Sequence, residues 1–153
     1  MFAVSLQATP HINEALAAIA LPVCVASSGP PEKISASLNR VGLYDRFAPH
    51  IFSAVQVRNG KPAPDLFLYA AAEMLTAPAR CLVIEDSVAG IAAALAAGMP
   101  VLGFHGGSHC RPGYADRLRA AGASSTFDDM RQLPGLIAQI DQKPGLNAGF
   151  SAL

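Results

Sequence analysis

The sequence has no excess of charge of either sign and no long apolar run. Eleven basic and eleven acidic side chains are spread over 153 residues, so neither a nucleic acid nor an anionic membrane is an expected partner. The longest apolar stretches, residues 14–27 and 91–103, are interrupted by proline, glycine or polar residues. Both are shorter than the roughly 20 residues that a membrane span needs. We therefore expect no membrane association.

Export and metal-binding patterns are also lacking. The opening residues MFAVSLQATP contain neither the basic nor the apolar segment of a signal peptide, which favours a cytoplasmic location. Three cysteines are an odd number without the paired spacing of a metal site. Cys24 and Cys81 lie in apolar runs, so we expect them to be buried thiols.

Apolar strand-like runs alternate with helical patterns along most of the chain, and 52% of the residues are hydrophobic. This pattern predicts a parallel sheet with right-handed crossovers and helices on both faces, a Rossmann-like three-layer α/β/α fold. Thr9 or Asn13 is expected to cap the first helix. The predicted strands are 22–26, 51–57, 81–84, 100–104 and 124–127, and the predicted helices are 10–20, 31–41, 66–74, 89–97, 114–121 and 130 to about 139.

Polar residues follow three of these strands, where sheets of this kind collect their chemistry. They are Ser27 with Ser28, Lys61 in a loop before Pro62, and the adjacent acids Glu85 and Asp86. Taken singly, each has a structural explanation, because such serines and acids often cap helices and a loop lysine is usually solvated. The loop with His105, His109 and Cys110 is interpreted as an ordinary surface loop.

Together, VCVASSG, GKPAPDLF and VIEDSVAGIAAALAAGM resemble the second, third and fourth motifs of the haloacid dehalogenase superfamily, in its phosphatase and β-phosphoglucomutase branch. The resemblance spans roughly residues 10–123. It implies Mg²⁺-dependent hydrolysis of a small phosphorylated metabolite, in which an aspartate attacks the phosphate ester and water cleaves the aspartyl-phosphate.

The same resemblance implies roles for the matching residues. Ser27, Ser28 and Gly29 would bind phosphate, helped by the N-terminus of the helix that follows them. Lys61 would neutralise the transferring phosphoryl group. Asp86, with Glu85 beside it, would supply carboxylate oxygens to Mg²⁺.

The sequence departs from the family pattern in its first motif, because it contains no Asp-x-Asp. The late FDDM at 127–130 lacks the right context and is rejected as a substitute. We expect residues 1–20 to be a remnant of the helix that returns from the family's cap, 21–140 to form an incomplete core, and 141–153 to be a loose tail. The absent central strand would leave the strands that end at Ser27 and Glu85 unpaired along their inner edges.

Three outcomes are then possible for the sheet. The two strands pair directly, a strand is recruited from elsewhere, or the sheet folds poorly. The principal hypothesis is a truncated phosphatase, inactive alone. The alternative is a non-catalytic module that binds phosphate or a partner, as a homo-oligomer or with a strand donated by another chain. An unrelated nucleotide-binding fold is disfavoured, because neither G-x-G-x-x-G nor a P-loop pattern is present.

Overall fold

Short strands alternate with helices in the computed structural model, which describes residues 9–107, 110–141 and 151–152. No helix in these ranges is long and apolar enough to cross a membrane. The strands are β1 (Val25–Ser27), β2 (Ile51–Ser53), β3 (Cys81–Glu85), β4 (Val101–Phe104), β5 (Ser125–Phe127) and β6 (Ser151–Ala152). The α-helices are α1 (Ile12–Ala18), α2 (Pro31–Arg40), α3 (Tyr44–Phe47), α4 (Asp65–Glu73), α5 (Val88–Ala96), α6 (Tyr114–Ala120) and α7 (Leu133–Asp141).

All strand pairs are parallel, and they form two sheets. One sheet has the order β5-β4-β3-β6 and the other consists of β1 and β2. In the larger sheet Val83 lies opposite Val101, and in the smaller sheet Ser27 lies opposite Ser53. The carboxyl ends of β1 and β2, and likewise those of β3 and β4, are therefore brought side by side.

Apolar side chains cover both faces of the strand layer. Leu82 and Ile84 of β3 belong to one buried cluster, whereas Cys81 and Val83 belong to the other. This alternation follows from the two-residue period of a strand. The first cluster is completed by residues of α1, α2, α3 and α7, and the second by residues of α4, α5 and α6. The predicted three-layer α/β/α architecture is thus confirmed.

Local sequence signals explain where the helices that follow β1 and β3 begin and end. Pro31 occupies the first turn of α2, where its missing N–H has no cost, and Gly42 follows the helix with φ of 71°. The Ser87 hydroxyl accepts a hydrogen bond from the Gly90 N–H at 3.0 Å, which caps α5. Gly98 then ends that helix with φ of 74°. Each helix consequently starts within a few residues of its strand.

Two local expectations are wrong. The strand predicted at 51–57 ends at Ser53, because Ser53 and Gln56 form a capping box that turns Ala54–Gln56 into a 3-10 helix. The first α-helix is not capped by Thr9 or Asn13. Its N-cap is His11 in the left-handed conformation, with no capping hydrogen bond from its side chain.

The inner edges of β1 and β3 do not pair with each other in the described structure. β3 instead pairs with β6, with Cys81 opposite Ser151 and Leu82 opposite Ala152. This pairing corresponds to the second expected outcome, recruitment of a strand from elsewhere. The recruited strand, β6, belongs to the C-terminal segment of the same chain. Residues 1–8 of the predicted remnant and residues 142–150 and 153 of the predicted tail lie outside the described residues.

Burial of two thiols generates a pH prediction. Burial raises the pKa of Cys24 to about 12 and that of Cys81 to about 11, from the ordinary value of 9.0. Well below pH 9 the thiols are protonated in both the folded and the unfolded state, and their contribution to stability is fully present. As the pH rises from 9 toward these folded-state values, the unfolded chain ionises first, so the folded state loses stability.

We therefore expect the urea midpoint of unfolding to fall between pH 8 and about pH 10.5. The fall should be smaller in a variant carrying both Cys24→Ala and Cys81→Ala. An equal fall in the two proteins would contradict the assignment of this pH dependence to the thiols.

Candidate active site

Lys61 is the centre of the polar cluster at the carboxyl ends of the strands. Its side chain is only 4% exposed. The ammonium Nζ donates to the Glu85 carboxylate at 2.5 Å and to the backbone oxygen of Ala26 at 3.2 Å, and it lies 4.8 Å from the ring centroid of Phe67. Burial lowers the pKa of Lys61, while the charge and hydrogen bond of Glu85 raise it. One cation thus links the end of β1 to the end of β3.

Glu85 is completely buried and is held from three directions. One carboxylate oxygen accepts from Lys61, and the other accepts from the hydroxyl of Ser87 at 3.0 Å and from its backbone N–H at 3.3 Å. Gly90 lies so close that a Cβ atom there would be 2.0 Å from the Glu85 carboxyl carbon. The carboxylate is therefore clamped between Lys61 and the first turn of α5.

Ser27 is 1% exposed and lies at the end of β1. Its hydroxyl oxygen accepts from the Gly29 N–H at 3.1 Å, and Ser53 at the end of β2 donates to the Gly29 carbonyl at 2.7 Å. These two bonds fix the loop between β1 and α2 against both strands.

Two prolines and a local hydrogen bond reduce the number of backbone donors at the start of α2. Pro30 and Pro31 have no N–H, and the Gly29 N–H is donated to Ser27. Ser28 is exposed beside them. The loop also carries the hydroxyls of Ser27 and Ser28, and the phosphate-binding role expected of Ser27, Ser28 and Gly29 stays a prediction.

Asp86 follows β3 and is only partly buried. The Tyr114 hydroxyl, at the start of α6, donates to the Asp86 backbone carbonyl at 2.5 Å. Burial raises the pKa of Tyr114, and the negative charge of Asp86 acts in the same direction. Tyr114 therefore anchors the backbone that carries the Asp86 carboxylate.

The donor set suits a hard divalent cation only in part. Asp86 has the carboxylate chemistry that Mg²⁺ prefers, and Mg²⁺ takes only one or two protein carboxylates. Glu85, in contrast, already directs both carboxylate oxygens to Lys61 and Ser87. Within the described ranges, no group of three or more His, Cys, Asp or Glu side chains is placed to hold a metal ion.

Among the predicted site residues, Lys61 contacts Glu85 and Gly29 contacts Ser27. Lys61 also donates to the backbone oxygen of Ala26, next to Ser27. The sequence analysis did not identify Phe67, Ser87, Gly90 or Tyr114 as parts of this cluster. Two of these carried a signal in the sequence. Ser87 directly precedes a predicted helix, where serine often caps, and a glycine in the first turn of a helix, like Gly90, indicates a close approach. His109 lies outside the described residues.

Comparison with known proteins agrees with this arrangement. The sequence profile of the haloacid dehalogenase-like hydrolases matches residues 1–98. The chain belongs to this family. The 6-phosphogluconate phosphatase of Escherichia coli is 32% identical over 136 residues, which are 89% of this chain and 59% of that protein.

Two solved haloacid dehalogenase structures share the fold. A conserved haloacid dehalogenase-like protein of unknown function from Agrobacterium tumefaciens has a TM-score of 0.85 and 42% identity, covering 88% of this chain and 61% of that one. A family hydrolase from Deinococcus radiodurans, solved with bound phosphate and sodium, has a TM-score of 0.75 and 35% identity, covering 82% and 56%. The chain therefore spans about three fifths of the length of these relatives.

The contact between Gly90 and Glu85 generates a second prediction. An alanine in place of a helical glycine normally stabilises a protein by about 0.5–1 kcal/mol. Here the added methyl group would overlap the Glu85 carboxylate, and overpacking costs about 1–3 kcal/mol. We expect Gly90→Ala to lower the free energy of unfolding by at least 1 kcal/mol, measured by urea titration.

Gly60→Ala is the matched control, since nothing lies within 4 Å of a Cβ at that position. It should leave stability within about 0.5 kcal/mol of the parent chain. A Gly90→Ala protein as stable as the Gly60→Ala protein would show that α5 does not clamp Glu85.

Proposed function

We propose that this chain carries the phosphate-binding and metal-binding half of a haloacid dehalogenase-type phosphatase for a small phosphorylated metabolite. The observation that carries the proposal is the position of Lys61, whose ammonium contacts the ends of both β1 and β3. A buried cation at the carboxyl edge of a parallel sheet is well placed to attract a phosphate group. Ser27 and Ser28 lie at the same edge.

In this proposal Lys61 provides electrostatic stabilisation and Glu85 holds it in position. A cation in a water-poor site stabilises developing negative charge more strongly than one in water. Burial lowers the pKa of Lys61, and the charge and hydrogen bond of Glu85 act against that shift and so favour the charged ammonium. In this proposal Glu85, which was expected to lie beside the metal ligand Asp86, serves instead as the partner of Lys61.

Asp86 is the proposed metal ligand, as the family resemblance implies. It is a partly exposed carboxylate next to the cluster, and its backbone is anchored by Tyr114. Bound Mg²⁺ would supply positive charge to a phosphate oxygen. Ser27, at the end of β1, would contribute a hydroxyl donor to the phosphate.

We further propose that the 153-residue chain does not turn over substrate by itself. The family's chemistry needs an aspartate nucleophile and an aspartate acid and base, and the sequence contains no Asp-x-Asp. Losing covalent catalysis and proton transfer together costs many orders of magnitude in rate. The substrate class, a phosphorylated carbohydrate or similar metabolite, is supported by the 6-phosphogluconate phosphatase relative.

The alternative proposal is a non-catalytic module that binds phosphate or a partner protein. It is favoured by the same lack of Asp-x-Asp together with an intact Lys61–Glu85 pair. The two proposals differ in the role of Asp86, which matters only if a divalent cation binds. A cytoplasmic location fits both.

Binding and hydrolysis measured on the same protein test the proposal. We expect Mn²⁺, followed by electron paramagnetic resonance, to bind the chain, and Asp86→Asn to weaken this binding at least tenfold because a charged ligand is lost. Asp116→Asn, which removes a carboxylate that is 84% exposed in a pair with Arg119, should bind Mn²⁺ like the parent. In the presence of Mg²⁺, the parent chain should hydrolyse p-nitrophenyl phosphate no faster than the Asp86→Asn variant does.

Hydrolysis that disappears in Asp86→Asn would overturn the predicted inactivity and require another nucleophile. Inorganic phosphate binding without any Mn²⁺ binding would favour the non-catalytic alternative. Equal Mn²⁺ affinities of the Asp86→Asn and Asp116→Asn proteins would show that Asp86 is not a metal ligand.

A further inference from the structure

A cavity of about 310 Å³ opens between β2 and the helices that precede it along the chain. Its walls come from α2, from the start of α3, from β2 and from the 3-10 helix Ala54–Gln56. Neither Lys61 nor Glu85 lines it. Sites for small molecules typically have volumes of about 300–1,000 Å³. This cavity therefore has room for one small molecule.

The lining of the cavity excludes charged ligands. Among the described residues, none of the side chains that line it is charged. A charged ligand would lose water there without gaining an opposite charge, and an unpaired charge is costly to bury. The cavity thus favours a neutral molecule, in contrast to the phosphate proposed to bind near Lys61.

Two isoleucines and one aromatic ring form an apolar wall of the cavity. Ile34 of α2 is only 3% exposed and belongs to the first apolar cluster, and Ile51 and Tyr44 pack against that cluster. The core therefore holds these side chains in place before any ligand arrives. Such a wall suits the C–H groups of a ring-shaped molecule.

Hydroxyl groups line the same cavity. Among the described residues, the hydroxyls of Ser35 and Tyr44 have no hydrogen-bond partner, so each is able to donate to and accept from a ligand. The side-chain amide of Gln56 donates to the Tyr69 hydroxyl over 3.4 Å, a long bond that leaves its second N–H for a ligand. A ligand with several hydroxyl groups would match these three side chains.

Ser53 connects the cavity to the loop that follows β1. It is 2% exposed, and its hydroxyl donates to the Gly29 carbonyl at 2.7 Å and accepts from the Val55 N–H at 3.3 Å. The Ser53 N–H donates to Gln56 Oε1 at 2.9 Å. A ligand that contacts Ser53 and Gln56 would shield these bonds from water.

We propose that this cavity is a binding site for a neutral, hydroxylated ring of monosaccharide size. The apolar wall receives the C–H face of the ring, and the side chains of Ser35, Tyr44 and Gln56 bind its hydroxyls. The site is separate from the phosphate and metal site proposed above. The proposal does not depend on phosphatase activity or on cation binding, and either can fail without the other.

Nuclear magnetic resonance titration of the full chain, labelled with ¹⁵N, tests the proposal. The probes are methyl glucoside, methyl galactoside and methyl mannoside, each compared with the corresponding uronate, which carries a carboxylate on the same ring. We expect saturable amide shifts at Ser35 and Tyr44 with at least one glycoside. Its uronate should bind at least about tenfold more weakly, because the carboxylate would find no cation in the cavity. Amide hydrogen exchange at Ser53 and Val55 should slow at saturation.

Two variants of α2 locate the binding site. Ser35→Leu places a larger apolar side chain in the cavity, whereas Ser37→Leu changes a half-buried serine of the same helix that does not line it. We expect Ser35→Leu to weaken glycoside binding at least about tenfold and Ser37→Leu to bind within about twofold of the parent chain. If Ser35→Leu does not fold, Ser35→Ala, which removes one hydroxyl, should bind at least about threefold more weakly than the parent.

Lack of binding by all three glycosides, equal binding of a glycoside and its uronate, or unchanged exchange at Ser53 and Val55 would each overturn the proposal. Binding that the folded Ser35→Leu protein, or in its place Ser35→Ala, leaves unaltered would place the ligand elsewhere and would likewise overturn it.

Discussion

The ion pair between Lys61 and Glu85 is the interaction on which the candidate site depends. Both side chains are almost fully buried, and burial of two charges is costly unless their remaining hydrogen-bonding capacity is used. Here Ala26 accepts from Lys61, and Ser87 donates to Glu85. The pair therefore fixes the relative positions of the carboxyl ends of β1 and β3.

This arrangement assigns different tasks to two adjacent acids. Glu85 is the last residue of β3 and points into the protein, whereas Asp86 lies beyond the strand and is partly exposed. Their difference in environment, not in chemistry, separates a structural carboxylate from a candidate metal ligand. Gly90 packs closely against the Glu85 carboxylate, and the Tyr114 hydroxyl donates to the backbone carbonyl of Asp86.

The main architecture could be predicted from the sequence because strand-like and helix-like patterns alternate clearly. Since the carboxyl ends of parallel strands meet at one edge, the proximity of Lys61 and Glu85 was also predictable. Spacing alone does not reveal which of two neighbouring acids points inward. The sequence therefore could not predict whether Glu85 or Asp86 is the partner of Lys61. The end of β2 was missed because the Ser53–Gln56 capping box ends the strand within a segment, 51–57, whose sequence is strand-like.

Other features depend on contacts between distant parts of the chain. The KPGLNAGFSAL tail has no strand periodicity, yet Ser151 and Ala152 pair with the start of β3. A two-residue strand gains its position from an available sheet edge rather than from its own propensity. By contrast, the loss of backbone donors at Pro30 and Pro31 is visible in the sequence itself and follows from proline chemistry alone.

A double-mutant cycle on Lys61→Met and Glu85→Gln, followed by urea unfolding, tests the central claim most directly. Removing one member of a buried ion pair typically costs about 3–5 kcal/mol, because the other charge is left without its partner. The account predicts that the loss in the free energy of unfolding of the double variant is smaller than the sum of the two single losses, by at least about 1 kcal/mol. Additive effects, within about 0.5 kcal/mol, would contradict the claim that this pair joins the two strand ends.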